Sequence, residues 1–211
     1  MSVEPTGLRE TKKQETRQLI SDHATRLFMR QGFEATTIAE IAIAARVAKK
    51  TVTNYFARKE DLALDHQEAF TNSLATAVRE RGDGESALTA LRRTFDASLE
   101  ARDPLAGFAG PAFSGMVADS PTLTARLREL HDQREHALAQ SLAIATDAAP
   151  DDIAPRAAAA QLASAHRLLF TRIQELTLAG HENDAIAATL TAEAAHVFDR
   201  LEPGLAGYAT R

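Results

Sequence analysis

The chain has 211 residues, 45 % of them hydrophobic, and no cysteine. That length is enough for a real core, in one domain or in a small domain joined to a larger one; without cysteine there is no disulfide framework, thiolate metal site or thiol nucleophile. The opening stretch MSVEPTGLRETKKQETRQ is polar throughout, and no apolar run approaches the roughly 20 residues of a membrane span, so a soluble cytoplasmic protein without a secretory signal is expected.

The formal charge of −5 conceals an asymmetry. Residues 1–59 hold eleven Lys and Arg against six Asp and Glu, whereas the other 152 residues hold thirteen against twenty-three. All five lysines (Lys12, Lys13, Lys49, Lys50 and Lys59) fall in the first part. A basic head on an acidic body points to a polyanion partner for the head alone. A solvated run of charge is the competing explanation until the motifs are read.

In chain order the pattern is helical nearly everywhere. Residues 1–8 are expected as a disordered arm. Thr11 with Gln14 suggests a capping box opening a first helix to about Arg30, with Ile20, Ala24, Leu27 and Phe28 on one face. Gly32 fits the left-handed position past its end. Thr37 with Glu40 is a second capping box, opening a short helix with Ile38, Ile41, Ala42 and Ala45 inward. After the break ARVA a third helix runs from about Ala48 to Phe56. Two short helices across a tight turn make a helix-turn-helix, with Phe28, Phe33, Ile41, Val47, Val52 and Phe56 as its core. Lys59 to about Glu80 reads as one long connecting helix. Helices near 85–102, 104–118, 121–147, 154–180 and 183–201 follow, and the tail EPGLAGYATR is expected to fray.

The third helix carries the chemistry. A recognition helix in the major groove of B-DNA offers donors to base edges near its N-terminal end. Lys49, Lys50, Thr51, Thr53 and Asn54 fall on or near the outer face. Lys donates to guanine, Asn pairs with adenine and Thr methyls touch thymine. Thr36 or Thr37, at a helix N-terminus, would meet phosphate. Tyr55 and Lys59 would hold the other side, with Lys12 and Lys13 reaching a neighbouring phosphate or the minor groove.

ATTIAEIAIAARVAKKTVTNYFARKEDL resembles the DNA-binding head of the TetR family of bacterial regulators. Thr37, Ile41, Ala42, Ala45, Val47, Thr51, Val52, Tyr55, Phe56, Lys59, Glu60 and Leu62 fall in the register of the family pattern, as does LFMRQGFEATT upstream. The likeness covers about residues 11–64 and assigns DNA contact to Thr37, Lys49, Lys50, Thr51, Thr53, Tyr55 and Lys59. Three positions depart from the pattern. Arg46 stands where the family has Gly, which costs roughly 1 kcal/mol if the backbone there is left-handed. Ala48 replaces Ser and removes a side-chain N-cap, and Thr53 replaces Tyr or Phe.

The resemblance implies an all-α protein of about nine helices: residues 9–58 as helix-turn-helix head, 59–201 as ligand-binding and dimerisation domain, and 202–211 as flexible tail. It implies a homodimer through helices 154–180 and 183–201, with Ala157, Ala160, Ala165, Ala187 and Ala194 permitting close approach and Leu162, Leu169, Ile173, Leu190 and Val197 supplying apolar area. Candidate ligand contacts are Phe70, Phe95, Phe108, Phe113, Met116 and His131, any one of which is better explained as plain core. Arg92, Arg93, Arg167 and Arg172 suit an anionic ligand or a solvated face alike. The expected function is a repressor leaving a palindromic operator when a small lipophilic ligand binds, with an activator or a ligand-independent DNA-binding protein of the same fold as alternatives. No catalytic residue, metal site or cofactor is expected. G-x-S-x-G, Gly-rich phosphate-loop and H-E-x-x-H patterns are absent, and the pairs His131/Glu135 and Asp132/His136 read as surface contacts on one helix.

Overall fold

The computed structural model describes residues 5–211, and all regular structure in them is helical. The chain divides into two compact units. One takes the chain up to Asp65 together with Met116–Arg126; the other is His66–Gly115 with Leu127–Arg211.

The first unit holds α1 (Pro5–Gln31), α2 (Ile38–Ala44), α3 (Lys49–Tyr55) and α4 (Glu60–Ala63). Helix α1 begins inside the stretch expected as an arm, and residues 1–4 of that arm lie outside the described residues. The Thr11/Gln14 pair therefore sits within the helix rather than at its start. Thr11 donates its hydroxyl to the Gly7 carbonyl one turn back, and Gln14 donates to Glu10, so neither caps. Ile20, Ala24, Leu27 and Phe28 form the buried stripe. The helix stops at Gly32 with φ 85°, whose N–H donates to the Phe28 carbonyl.

The second capping box forms as its spacing requires. Thr37 Oγ1 accepts from Glu40 N at 3.2 Å, and the Glu40 carboxylate accepts from Thr37 N at 2.8 Å. The turn to α3 passes through Arg46 at φ 55°, a left-handed residue where Gly would sit without strain. Ala48 gives α3 no side-chain cap. Phe28, Phe33, Ile41, Val52 and Phe56 close the core, with Val47 half-buried at its edge.

The expected connecting helix is two helices. After α4 the chain leaves helical geometry at Leu64 (φ −112°, ψ 51°) and resumes in α5 (Gln67–Arg79). No Gly or Pro marks this break. At the break Ser21 Oγ of α1 donates to the Asp65 carboxylate. The head's unit thus runs on past residue 58, the expected boundary, to Asp65.

The second unit packs α5, α6 (Ala87–Ala101), most of α8 (Pro121–Ala145), α9 (Ala154–Leu178), α10 (Asn183–Asp199) and α11 (Glu202–Leu205). Leu91, Phe95, Leu138, Leu142, Leu162, Leu169, Ile173, Leu190 and Phe198 form its centre. The helix expected over 104–118 is a 3-10 turn, Pro104–Ala106, followed by α7 (Pro111–Asp119). Between them Gly107, at φ 124°, presses on α9; a Cβ there would lie 3.1 Å from Ile173 Cβ and from the Phe170 carbonyl. The tail is ordered, against expectation. Arg81, itself buried, donates to the Ala209 carbonyl at 2.9 Å, and Leu205 and Ala209 are buried in the core. Arg211 N–H donates to the Glu85 carbonyl. Among the described residues no helix is long and apolar enough to cross a membrane.

Candidate functional site

The recognition surface is built outward from Val52 and Phe56, which are buried and anchor α3. With those inward, Lys49, Lys50, Thr53 and Asn54 are exposed, and Thr51 and Tyr55 are half-buried at the flanks. The Thr53 hydroxyl donates to the Lys50 carbonyl at 3.1 Å, which turns that side chain back along its helix. Lys12 and Lys13 are exposed on α1. The seven-residue α3 therefore carries two exposed ammonium groups and an exposed carboxamide on one side.

Three of the expected contacts are engaged within the head itself. Thr36 is 1 % exposed; its hydroxyl donates to the Gly32 carbonyl at 2.8 Å and its N–H to Phe33. Thr37 is exposed, but its N–H and hydroxyl both donate to the Glu40 carboxylate, each at 2.8 Å. Those bonds hold the Glu40 carboxyl below its ordinary value. Lys59 Nζ donates to the carbonyls of Phe33, Thr36 and Glu34 at 2.9, 3.0 and 3.4 Å and lies 4.1 Å from the Phe33 ring centroid. Its ammonium ties the α1–α2 loop to α4. Arg17, which the sequence reading passed over, does the same for α3. It donates to the Tyr55 carbonyl at 3.1 Å and stacks over the Phe56 ring at 4.3 Å.

A second feature lies wholly inside the other unit. Ser73 of α5, Thr94 and Phe95 of α6, Asp103, Arg134 of α8, and His166 and Phe170 of α9 are among the residues that line a partly open cavity of about 90 Å³. Arg134 Nε donates to Ser73 Oγ at 2.8 Å, and its guanidinium lies 4.6 Å over the Phe70 ring. Burial, opposed by the nearby Asp103 carboxylate, lowers the Arg134 pKa to about 10, so it stays charged at neutral pH. Burial, and then Arg134, lowers His166 to about 3. His166 is a neutral imidazole between the rings of Phe95 and Phe198, and among the described residues its Nε2 has no hydrogen-bond partner.

Of the six expected ligand contacts, Phe95 lines this cavity. Phe70 and His131 stand behind its wall, in edge-on contact with each other and with Phe170. Burial lowers His131 to about 4, so it too is neutral. Phe108 is core, under Arg102; Phe113 and Met116 are half-buried on α7 and do not line it. The polar lining went unread, although Arg134 interrupts the apolar row Leu123, Leu127, Leu130, Leu138 of α8 at helical spacing. A larger open groove of about 560 Å³ runs between α6 and α10. Its arginines are paired, Arg92 with Asp199 at 2.7 Å and Arg102 with Asp184 at 2.8 Å. Arg93 and Arg172 likewise pair with Glu85 and Glu193.

On α9 and α10, Leu162, Leu169, Ile173 and Leu190 are 0 or 1 % exposed and belong to the chain's own core, as do Ala165, Ala187 and Ala194, so they supply no dimer surface. The exposed row of α9 is instead Ala157, Gln161, Ser164, Leu168, Thr171, Glu175 and Leu178, spaced by fours and threes. Leu168 is 59 % and Leu178 49 % exposed. Ala185, Ala188, Thr189 and Ala192 form the matching row of α10.

A three-helix head presenting a basic recognition helix, followed by an all-helical unit with a cavity, defines a helix-turn-helix DNA-binding regulator. Residues 20–65 match the bacterial regulatory proteins of the tetR family. The HTH-type transcriptional regulator TcmR of Streptomyces glaucescens is 34 % identical over 156 residues, covering 71 % of this chain and 69 % of TcmR. The chain belongs to the TetR family of transcriptional regulators. The fold is shared with NalD, the secondary repressor of the MexAB-OprM multidrug efflux pump in Pseudomonas aeruginosa. The two are 17 % identical at a TM-score of 0.55, over 88 % of this chain and 97 % of NalD. It is also shared with SmeT in its triclosan complex, at 17 % identity, a TM-score of 0.56 and 90 % of each chain. TcmR is a transcriptional regulator and NalD a repressor. Among the described residues no three His, Asp or Glu side chains gather as metal ligands.

Proposed function

We propose that this regulator is a homodimeric repressor that leaves a palindromic operator when a small ligand enters the cavity of its second unit. Lys49 and Lys50 neutralise phosphate, while Asn54, with Thr51 and Thr53, reads bases. Thr37 and Tyr55 line the rim of the contact. Thr36 and Lys59 act by shaping the head. A second head one helical turn away, roughly 34–36 Å, supplies the other half-site. It is brought there by packing the exposed rows of α9 and α10 against their copies.

The observation that carries the ligand-responsive reading is the cavity around Arg134 and His166. A scaffold that only joined two heads has no use for a buried cation with unfilled hydrogen-bonding capacity, since such a group costs stability. NalD is a repressor and SmeT takes triclosan, which gives both halves of the reading a precedent on this fold. Ser73 lies on α5, which leads back through Leu64–His66 to α4; Arg134 lies on α8, which leads back to Arg126, paired with Asp61 of α4. A ligand that prefers the α5–α8 spacing of the released state shifts the population away from DNA.

Selection of bound sequences from random DNA tests the head and the dimer together. A palindrome with half-sites one turn apart is expected, and an unpaired site refutes the dimeric reading. Thermal shift and operator release against neutral lipophiles (triclosan, decanol, anthraquinone) and against the acids named below test the ligand. If no member of either set acts, the protein binds DNA without a ligand.

A further inference from the structure

Arg134 is a buried cation that lines a cavity, and its hydrogen bonding is incomplete. It is 7 % exposed and sits on the apolar row of α8. Among the described residues its single hydrogen bond is the one from Nε to Ser73 Oγ, and no carboxylate lies within ion-pair distance. Asp103 acts on it only through space, and one Asp103 oxygen already accepts from Leu105 N at 2.9 Å. Ser73 in turn donates to the Phe70 carbonyl at 2.8 Å, so its proton is used. The two terminal nitrogens of Arg134 therefore keep their donors for the cavity. His166 contributes a second unmet group there, Nε2, which is buried without a partner.

The same cavity is otherwise apolar or self-satisfied. Phe95, Phe170 and Leu74 form its greasy wall, and the Thr94 hydroxyl donates to the Ala90 carbonyl at 2.8 Å. A neutral lipophile entering this space would displace water from a guanidinium and an imidazole and give nothing back. A carboxylate does the reverse. Its two oxygens match the planar fork of an arginine, and in a dry site that pairing is strong. A neutral imidazole carrying its proton on Nε2 adds a further donor to a ligand oxygen. A cavity of about 90 Å³ takes such a head group with a few attached carbons, not a bulky body. The remainder of a larger ligand would extend along the aromatic wall of Phe95 and Phe170, beside Leu105 and Ala106 of the 3-10 turn.

We infer that the effector is a carboxylic acid with an apolar body, bound with its carboxylate on the Arg134 guanidinium and a ligand oxygen on His166 Nε2. This rests on the ligand-responsive reading above and names the chemistry of that ligand. It also assigns Arg134 as the residue that selects ligands by charge.

The test uses the full chain and matched probe pairs that differ only in charge: hexanoate and hexanamide, phenylacetate and phenylacetamide, 3-phenylpropionate and its amide. At constant ionic strength, at least one acid is expected to raise the melting temperature and release the operator at a tenfold lower concentration than its amide. In Arg134→Gln that preference should vanish, with acid and amide acting at similar concentrations, while Arg134→Lys keeps part of it. Because the cation is unpaired, Arg134→Gln is also expected to melt no lower than the wild type without ligand; the wild-type acid-to-amide ratio is decisive even if that variant folds poorly. Equal action of acid and amide on the wild type overturns the carboxylate inference and leaves the ligand-responsive reading standing, as does an undiminished preference in a folded Arg134→Gln. A panel in which only neutral lipophiles act overturns it in the same way. A panel in which nothing acts overturns both.

Discussion

Arg126 Nη2 lies 3.0 Å from Asp61 Oδ1, and the two side chains are only 11 % and 8 % exposed. The pair joins the start of α8 to α4 within the head's unit, and the second Asp61 oxygen accepts from Arg58 N at 3.2 Å. A buried pair adds little over an apolar substitute, yet removing Arg126 takes the paired cation from the buried Asp61 carboxylate. Arg126→Ala should destabilise the head's unit by about 3 kcal/mol, and Asp61→Ala by less, because Arg126 keeps another partner. Asp61→Ala with Arg126→Ala should cost much less than the sum. Urea denaturation of the four proteins measures this, and additive losses would show that the two side chains do not depend on each other.

Lys59 offers the clearest separation of fold from contact. With its ammonium on three carbonyls, Lys59→Met strands acceptors in the α1–α2 loop and should lower stability by about 2 kcal/mol. DNA affinity should fall while the slope of log K against log salt stays unchanged. A slope reduced by about one unit would instead mean that the ammonium leaves the loop to neutralise a phosphate in the complex.

Lys50 and Asn54 make the opposite pair of expectations. Both are exposed on α3. Lys50→Ala should weaken binding to all sequences alike and reduce the salt slope by about one. Asn54→Ala should leave the slope alone and relax preference at one base position in each half-site, by about 1–3 kcal/mol. Quantitative binding to the selected operator and its single-base variants, at several salt concentrations, checks both. An unchanged slope and an unchanged sequence profile in the two mutants would refute the assignment of α3.

The expectations for α3 follow from local features that the sequence displays openly. The Thr37/Glu40 box, the Gly32 stop, the missing cap at Ala48 and the buried Phe28, Ile41, Val52 and Phe56 all depend on neighbours within a few positions, or on one helical face. What escaped the reading is long-range. At the break Leu64–His66 Asp65 is held by Ser21, 44 positions earlier, and in the ordered tail Ala209 is held by Arg81, 128 positions earlier. The Thr11/Gln14 motif has capping spacing but lies inside a helix, because nothing local stops α1 from starting earlier. In the cavity, aromatic residues drew attention by composition, whereas Arg134 was legible only as the charged member of an apolar row.

The two buried histidines set a pH dependence whose sign is fixed. His131 and His166 have pKa values lowered to about 4 and about 3, chiefly by burial, against an ordinary 6.5. The unfolded chain therefore binds more protons than the folded one below pH 6.5. Stability is full above that value and is lost as pH falls towards 4. Each histidine should account for about 2 kcal/mol between pH 7 and pH 5. His131→Leu and His166→Leu should each flatten the decline, and the double variant should nearly remove this part of it. Urea midpoints at pH 7, 6 and 5 measure the effect, and a decline of wild-type steepness in the double variant would assign it to other groups.

Leu168 tests the proposed dimer. It is 59 % exposed in the middle of the α9 row that runs from Ala157 to Leu178, with the chain's own core already satisfied by Leu162, Leu169 and Ile173 on the opposite side. Small residues at Ala157, Ser164 and, on α10, Ala185, Ala188 and Ala192 leave room for a second pair of helices to approach closely. If copies of the chain pack through this row, Leu168 is buried at its centre, where an aspartate would be desolvated without a partner. Leu168→Asp should then leave the melting temperature of a dilute monomer unchanged but convert the micromolar species from dimer to monomer in sedimentation velocity. Operator affinity should drop at least a hundredfold, because each head is left with one half-site, while contacts to a single half-site persist. Glu175, on the same row near Arg172, provides the control: Glu175→Gln removes a charge from the row without burying a new one, and should leave the dimer intact. A Leu168→Asp protein that sediments as the wild type does would place the dimer surface elsewhere on the chain.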